Sequence, residues 1–247
     1  MLTAALFELD GVLADVAATR AAALAAAFVA EGIRLDRPTL DAPEVPIDPA
    51  GWLTPFDDLA TTVALGAADE TTLALVALRA EDDYVARVAA GVTLVPGAPE
   101  AVAAISAEWR VGAVTGWRRA DAERVLALAG LDAYVRFLSA ADDGPPFAPF
   151  ATRVRRAVER LRAPGAPAGT VAAVVASPPA LAAARDVGAR TVRVTSDVAP
   201  DHLPSVRLLR PIAVPADARL PSLRGLTPAS LAAALDVAPR SPAPAPR

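Results

Sequence analysis

Apolar and polar positions along the 247-residue chain change their spacing several times. Residues 3–13 form an apolar run broken by Glu8, Asp10 and Gly11, the pattern of a buried strand running into a loop. Residues 15–31 are Ala-rich with helical apolar spacing, whereas 36–58 are rich in Pro and Asp and cannot form one regular element. A helical pattern resumes over 59–90. From residue 94 onward the texture is strand–helix alternation. It predicts a helix over 98–108, a strand over 110–115, a helix over 118–129 closed by Gly130, and a brief strand at 137–138. A basic amphipathic helix over 149–161, a strongly apolar strand over 170–176, a helix over 179–186 ended by Gly188 and a strand over 190–195 follow. Short apolar strands separated by helices of roughly 10–15 residues predict an α/β fold built on a doubly wound parallel sheet. The Pro-rich stretch 196–224 predicts an extra ribbon or a surface loop, 228–235 a last helix, and 237–247 a disordered Pro-rich tail.

Composition narrows the classes of function. The length suits one α/β domain carrying an inserted subdomain. Apolar content comes from Ala, Val and Leu, with few aromatics, which favours small, closely packed helices. No apolar run reaches the roughly 18 uncharged residues of a membrane helix; the longest, 21–30, lies between Arg20 and Glu31. The N-terminal segment has no basic region ahead of its apolar run, so the expectation is a cytoplasmic protein without a signal peptide or a membrane partner. The absence of Cys excludes disulfides, thiol catalysis and cysteine metal sites. All 24 basic residues are Arg, so no Schiff base, lysine base or lysine phosphate clamp is available. A net charge of −4 with no basic stripe argues against nucleic acid as a partner. His202 has no second His or Cys at metal-ligand spacing and reads as a surface residue.

Several short motifs occur in a particular order. Glu8-Leu9-Asp10-Gly11-Val12-Leu13 closes the first strand and is followed by Asp15; Pro96-Gly97 precedes a helix; Val114-Thr115-Gly116 ends a strand. Gly130-Leu131 and Phe137 precede the next strand, and Ala183-Ala184-Arg185-Asp186-Val187-Gly188-Ala189 comes near the end. From about residue 3 to about residue 235 the chain resembles the haloacid dehalogenase superfamily, subclass I, the phosphoglycolate phosphatase-like and haloacid dehalogenase-like hydrolases. The resemblance implies a Rossmann-like core (1–13 and 93–236) with a helical cap inserted at 14–92. It also implies a nucleophile at the position of Glu8, a general acid/base at Asp10, a phosphoryl-binding hydroxyl at Thr115, and substrate contacts at Gly11, Gly116 and Arg118. A lysine from a third motif and magnesium held by acids of a fourth would complete the family's machinery.

This chain departs from that pattern at three places. The nucleophile position holds Glu8, whose extra methylene moves the carboxylate by roughly 1.5 Å, and a misplacement of about 1 Å costs on the order of a hundredfold. In Gly144-Pro145-Pro146 the lysine position is Pro145, leaving Arg153 or Arg118 as substitute cations, although an exposed helical Arg is ordinarily solvated. The fourth motif reads Ala176-Ser177-Pro178-Pro179-Ala180 and contains no acid. Neither a metal site nor a cofactor is therefore expected, with weak magnesium binding only if the chain hydrolyses phosphomonoesters. Each retained residue also has a plainer reading. Asp10 caps the loop at Gly11, Thr115 satisfies backbone donors at a strand end, Asp142 and Asp143 are a solvated loop pair, and Trp117 and Trp52 pack or wall the cleft. The leading expectation is a pseudoenzyme with little or no phosphatase activity, retained to bind a phosphorylated small molecule or a protein partner. The alternatives are a weak or altered phosphomonoester hydrolase using Glu8 and Asp10, and an assembly subunit using the cap or 196–224. The phosphonate-cleaving branch, which needs a cap lysine, is excluded. Oligomeric state is not encoded legibly.

Overall fold

Ala5 and Phe7 of the first apolar run join one hydrophobic cluster and Ala4 and Leu6 another, because successive side chains of a strand point to opposite faces. In the computed structural model, which describes residues 1–14, 17–33, 69–144, 150–194 and 215–237, this run is β1 (Ala4–Glu8), buried along its whole length. Two-sided burial recurs in β4 (Val171–Val175) and in β2 (Arg110–Val114) after its first residue. Strands covered on both faces are the mark of a parallel sheet sandwiched by helices. With β3 (Phe137–Ser139), β5 (Arg190–Val194) and β6 (Ala218–Leu220) they form a six-stranded sheet of order β3-β2-β1-β4-β5-β6. Every paired strand is parallel.

Among the helices, α1 (Ala17–Ala30) and α2 (Glu70–Ala90), which lie between β1 and β2 in the chain, pack on each other. They are followed by α3 (Ala98–Ser106), α4 (Arg119–Leu128), α5 (Phe150–Leu161), α6 (Pro178–Asp186) and α7 (Pro228–Val237). Apolar residues of α1 to α4 and α7 share the cluster of Ala5 and Phe7, while those of α5 and α6 share the cluster of Ala4 and Leu6. The doubly wound expectation is thus met. Local chemistry explains several ends. Asp69 caps α2 by accepting from the Thr72 amide at 2.9 Å, Ser177 caps α6 through the Ala180 amide at 3.4 Å, and Pro178 and Pro179 occupy first-turn positions that need no donor. Gly112 lets α5 approach β2, since a Cβ there would lie 2.9 Å from a Leu161 methyl.

One expectation changes. The stretch expected to be an extra ribbon or a surface loop ends instead in β6, which pairs with β5 and extends the parallel sheet. Asp217 fixes this addition by accepting from the Thr191 amide at 2.7 Å and its hydroxyl at 3.1 Å. The last helix also runs two residues past its expected end, to Val237. The readings of 36–58, Trp52, Pro145, His202 and the tail beyond 237 lie outside the described residues.

Candidate active site

Chain order and strand order conflict at one place in this sheet. From β1 the chain moves to β2 and β3 on one side, then returns to β4, β5 and β6 on the other. Where successive connections leave in opposite directions, an open α/β sheet has a crevice at the carboxyl ends of its strands, the usual position of a ligand site. The register brings Glu8 level with Val114, and Val114 level with Ser139, so Glu8, Thr115 and the turn after β4 meet at that crevice.

Glu8 spans it. Its Oε2 accepts the Ala176 amide at 2.8 Å and the Ser177 amide at 3.0 Å, tying the end of β1 to the turn that opens α6. The side chain is only 3% exposed. Burial pushes its pKa up to about 6; the Ser177 amide and hydroxyl and the Ala176 amide pull it back, and the charge of Asp10 pushes it further up. The consecutive amides at the start of α6 favour a negative charge, but they offset only part of the desolvation.

Asp10 lies on the next turn, where Gly11 takes a left-handed φ of 74°. A Cβ at Gly11 would touch that of Ala176 at 3.6 Å, so the two turns run close together. The Thr115 hydroxyl donates to Asp10 Oδ2 at 3.0 Å and accepts the Trp117 amide at 3.1 Å. Thr115 is fully buried. It therefore combines a link to the acid with the strand-end role of satisfying a backbone donor. Gly116 has open space where a Cβ would project. Arg118 is largely exposed and faces Glu81 of α2 at 3.8 Å.

Two expectations are revised by their partners, and a third, the packing of Trp117, is met. Asp142 and Asp143 are not simply solvated. Asp142 accepts the Arg119 amide at 2.8 Å, capping α4 from outside, and Asp143 takes the Arg119 guanidinium through both oxygens at 2.9 and 2.6 Å. Asp143 also accepts the Ala140 amide at 2.8 Å, so the pair fastens the loop after β3 to α4. Arg153 is not an exposed helical Arg; it is 7% exposed, stands 5.5 Å over the Phe150 ring, and burial lowers its pKa while Asp143 raises it. Trp117 is buried and packs on Tyr84 of α2. The partners of Glu8, the Arg119 clasp and Tyr84 were missed from the sequence. Ser177-Pro178-Pro179 does announce a helix start with free amides ahead of it, but nothing local says that Glu8 reaches them.

The described residues of the site do not fit magnesium, which takes near-octahedral oxygen coordination with carboxylate help. Among the described residues, no three His, Cys, Asp or Glu side chains gather closely enough to hold a metal. Glu8 Oε2 is occupied by two amides, and the turn after β4 offers backbone donors where acids would be needed.

Against this geometry, the haloacid dehalogenase-like hydrolase profile matches residues 2–188. The chain belongs to the haloacid dehalogenase-like hydrolases. Among solved structures it is similar to CbbY from Rhodobacter sphaeroides in complex with phosphate, with a TM-score of 0.67 and 21% identity over 94% of this chain and 100% of that one. It is also similar to β-phosphoglucomutase from Clostridium difficile, with a TM-score of 0.63 and 15% identity over 96% and 98%. A third is the magnesium-bound HAD-hydrolase YfnB from Bacillus subtilis, described as revealing interdomain movement, with a TM-score of 0.61 and 16% identity over 96% and 99%. At these identities the structures establish the shared fold. No curated protein matches the sequence. Among the described residues no helix is long and apolar enough to cross a membrane.

Proposed function

We propose that this haloacid dehalogenase-like chain is a pseudoenzyme with little or no phosphomonoesterase activity, whose cleft is retained to bind a phosphorylated small molecule or to support protein association. In this reading residues 14–92 are a helical cap on a core of 1–13 and 93–236, and Gly11, Gly116 and Arg118 border the ligand. The observation that carries the reading is the Glu8 clasp. A nucleophile must aim an oxygen at the reacting centre, near in-line with the leaving group, and a clasp on one carboxylate oxygen fixes where the other can point. Here Oε2 of Glu8 is turned across the crevice and held by the Ala176 and Ser177 amides. The guanidiniums nearest the site in sequence are engaged as well: Arg119 with Asp143 and Glu123, Arg118 with Glu81. Phosphoryl transfer relies on positioning and on compensating negative charge, so a clasped Glu8 beside engaged guanidiniums argues against efficient turnover.

A slow hydrolase is the second reading, and the intact Asp10–Thr115 pair favours it. In that case Glu8 attacks phosphorus, Asp10 protonates the leaving oxygen and Thr115 binds the phosphoryl oxygens. A phosphomonoester panel with magnesium, run on wild type, Glu8→Gln and Glu8→Asp, separates the two. The pseudoenzyme reading expects no turnover from any of the three and thermal stabilisation of wild type by particular phosphoesters. Turnover by wild type that disappears in Glu8→Gln overturns it, as does robust turnover gained by Glu8→Asp alone.

A further inference from the structure

The crevice at the end of β1 gathers negative charge. Glu8 and Asp10 stand two residues apart there, and the charge of Asp10 acts on Glu8. From β2 the crevice receives Thr115, and from the turn after β4 it receives Ala176 and Ser177, none of which carries a charge. The charged residues of α6, Arg185 and Asp186, lie in its last turn, at the end away from Ser177. Helix α5 packs on β1 and carries the buried Arg153, but the charge that acts on this guanidinium is that of Asp143. Arg119 is held by Asp143 and Glu123, and Arg118 faces Glu81. Among the described residues, then, each cation near the crevice answers an acid other than Glu8.

A phosphate group that enters this crevice brings about two more negative charges beside two carboxyl groups. Like charges favour the protonated form of an acid. Glu8 is the acid nearest to giving way, since it is only 3% exposed and its pKa already stands at about 6. Its hydrogen bonds are compatible with a proton. Oε2 accepts the Ala176 and Ser177 amides at 2.8 and 3.0 Å, which a neutral carboxyl group still does through its carbonyl oxygen while the other oxygen carries the proton. A buried carboxyl group kept neutral is a hydrogen-bond donor, and phosphate oxygens are strong acceptors. We propose that the cleft binds its phosphorylated ligand together with one proton, taken from solvent onto Glu8, so that a neutral carboxyl group stands where a cation would otherwise balance the phosphate. The inference rests on the ligand-binding part of the proposed function. Only an O–H bond forms, and the proton returns to solvent when the ligand leaves. Affinity therefore falls as pH rises, because above the Glu8 pKa each pH unit lowers the protonated fraction about tenfold.

Inorganic phosphate titrated calorimetrically into wild type and Glu8→Gln tests this. At pH 7.5, in Pipes and in Tris, two buffers of different ionisation heat, the change in binding heat counts the protons taken up. Wild type should take up close to one proton more than Glu8→Gln, whose count carries the titration of the phosphate itself. From pH 8 to pH 7 the affinity of wild type relative to Glu8→Gln should rise about tenfold, and the ratio should level off near pH 6. Asp10→Asn should keep the extra proton, which assigns it to Glu8 rather than to its neighbour. Should Glu8→Gln fail to fold, sulfate, a dianion throughout this pH range, replaces phosphate with wild type and Asp10→Asn. One proton taken up by both supports the inference, and none overturns it. Phosphate binding with equal proton uptake in wild type and Glu8→Gln, or an uptake lost in Asp10→Asn, overturns the inference and leaves the proposed function standing. Phosphate that binds neither wild type nor Glu8→Gln overturns the inference together with the ligand-binding part of that function.

Discussion

Replacing Glu8 with Gln keeps the length of the side chain and its acceptor oxygen for the Ala176 and Ser177 amides, and removes only the charge. The folded chain raises the Glu8 pKa from 4.5 to about 6, chiefly by burial. An acid with a higher pKa when folded holds its proton more tightly in the native state, so folding takes up protons between those two values. The stability due to protonated Glu8 is complete below pH 4.5 and is lost as pH rises through about 6. A difference of about 1.5 pH units corresponds to about 2 kcal/mol of cost at pH 7.5, falling to under about 1 kcal/mol at pH 5. Glu8→Gln abolishes that cost. The variant should therefore be more stable than wild type by about 2 kcal/mol at pH 7.5 and by less than half of that at pH 5. For a chain of this size the gain corresponds to roughly 4–8 °C in Tm. Urea titrations of both proteins at the two pH values, with the slope m compared to exclude a changed denatured state, measure it directly. A destabilised Glu8→Gln at pH 7.5, or a difference independent of pH, would refute the reasoning: the amides would then be compensating the carboxylate fully.

Two further predictions rest on other contacts. Gly97→Ala puts a Cβ 2.5 Å from the Arg224 amide nitrogen at a position with φ of 86°, so it should cost more than about 2 kcal/mol or prevent folding, read as a lowered urea midpoint or loss of soluble protein. Arg119→Ala releases Asp143 and the loop after β3; the pair is partly exposed, so global stability should fall by only about 1 kcal/mol, while amide exchange at Ala140 should accelerate severalfold.

The strands and helices that the sequence discloses are those whose register with water is strong. TVAAVVA can be little else than a buried strand, and Gly130 and Gly188 mark helix ends by needing left-handed φ values of 65° and 75°. β6 escapes notice because Ala218-Arg219-Leu220 is three residues long, only partly buried, and follows a Pro-rich stretch. It becomes a strand through Asp217 and its pairing with β5, which are tertiary facts. At the cleft, the positions of Glu8, Asp10 and Thr115 are legible because the motifs place them at strand ends. Their partners are not. The Glu8 bond to Ala176 joins residues 168 positions apart and depends on the length of one side chain. Arg153 misleads for a similar reason: a charge on a helix reads as solvated, and only the packing of α5 on the sheet reveals that it is inside.

The place of β1 in the middle of the sheet has a consequence for how the protein is made. This strand emerges from the ribosome before both of its neighbours, of which β2 begins at Arg110 and β4 at Val171. At about 5–20 residues per second, β1 waits on the order of ten seconds or more before both flanks exist. During that interval an apolar segment, Ala4-Ala5-Leu6-Phe7, has at most one edge satisfied, and neither until β2 follows. Nascent chains stalled before residue 171 should therefore be bound by holdase chaperones at β1, and those released after β4 is complete should not.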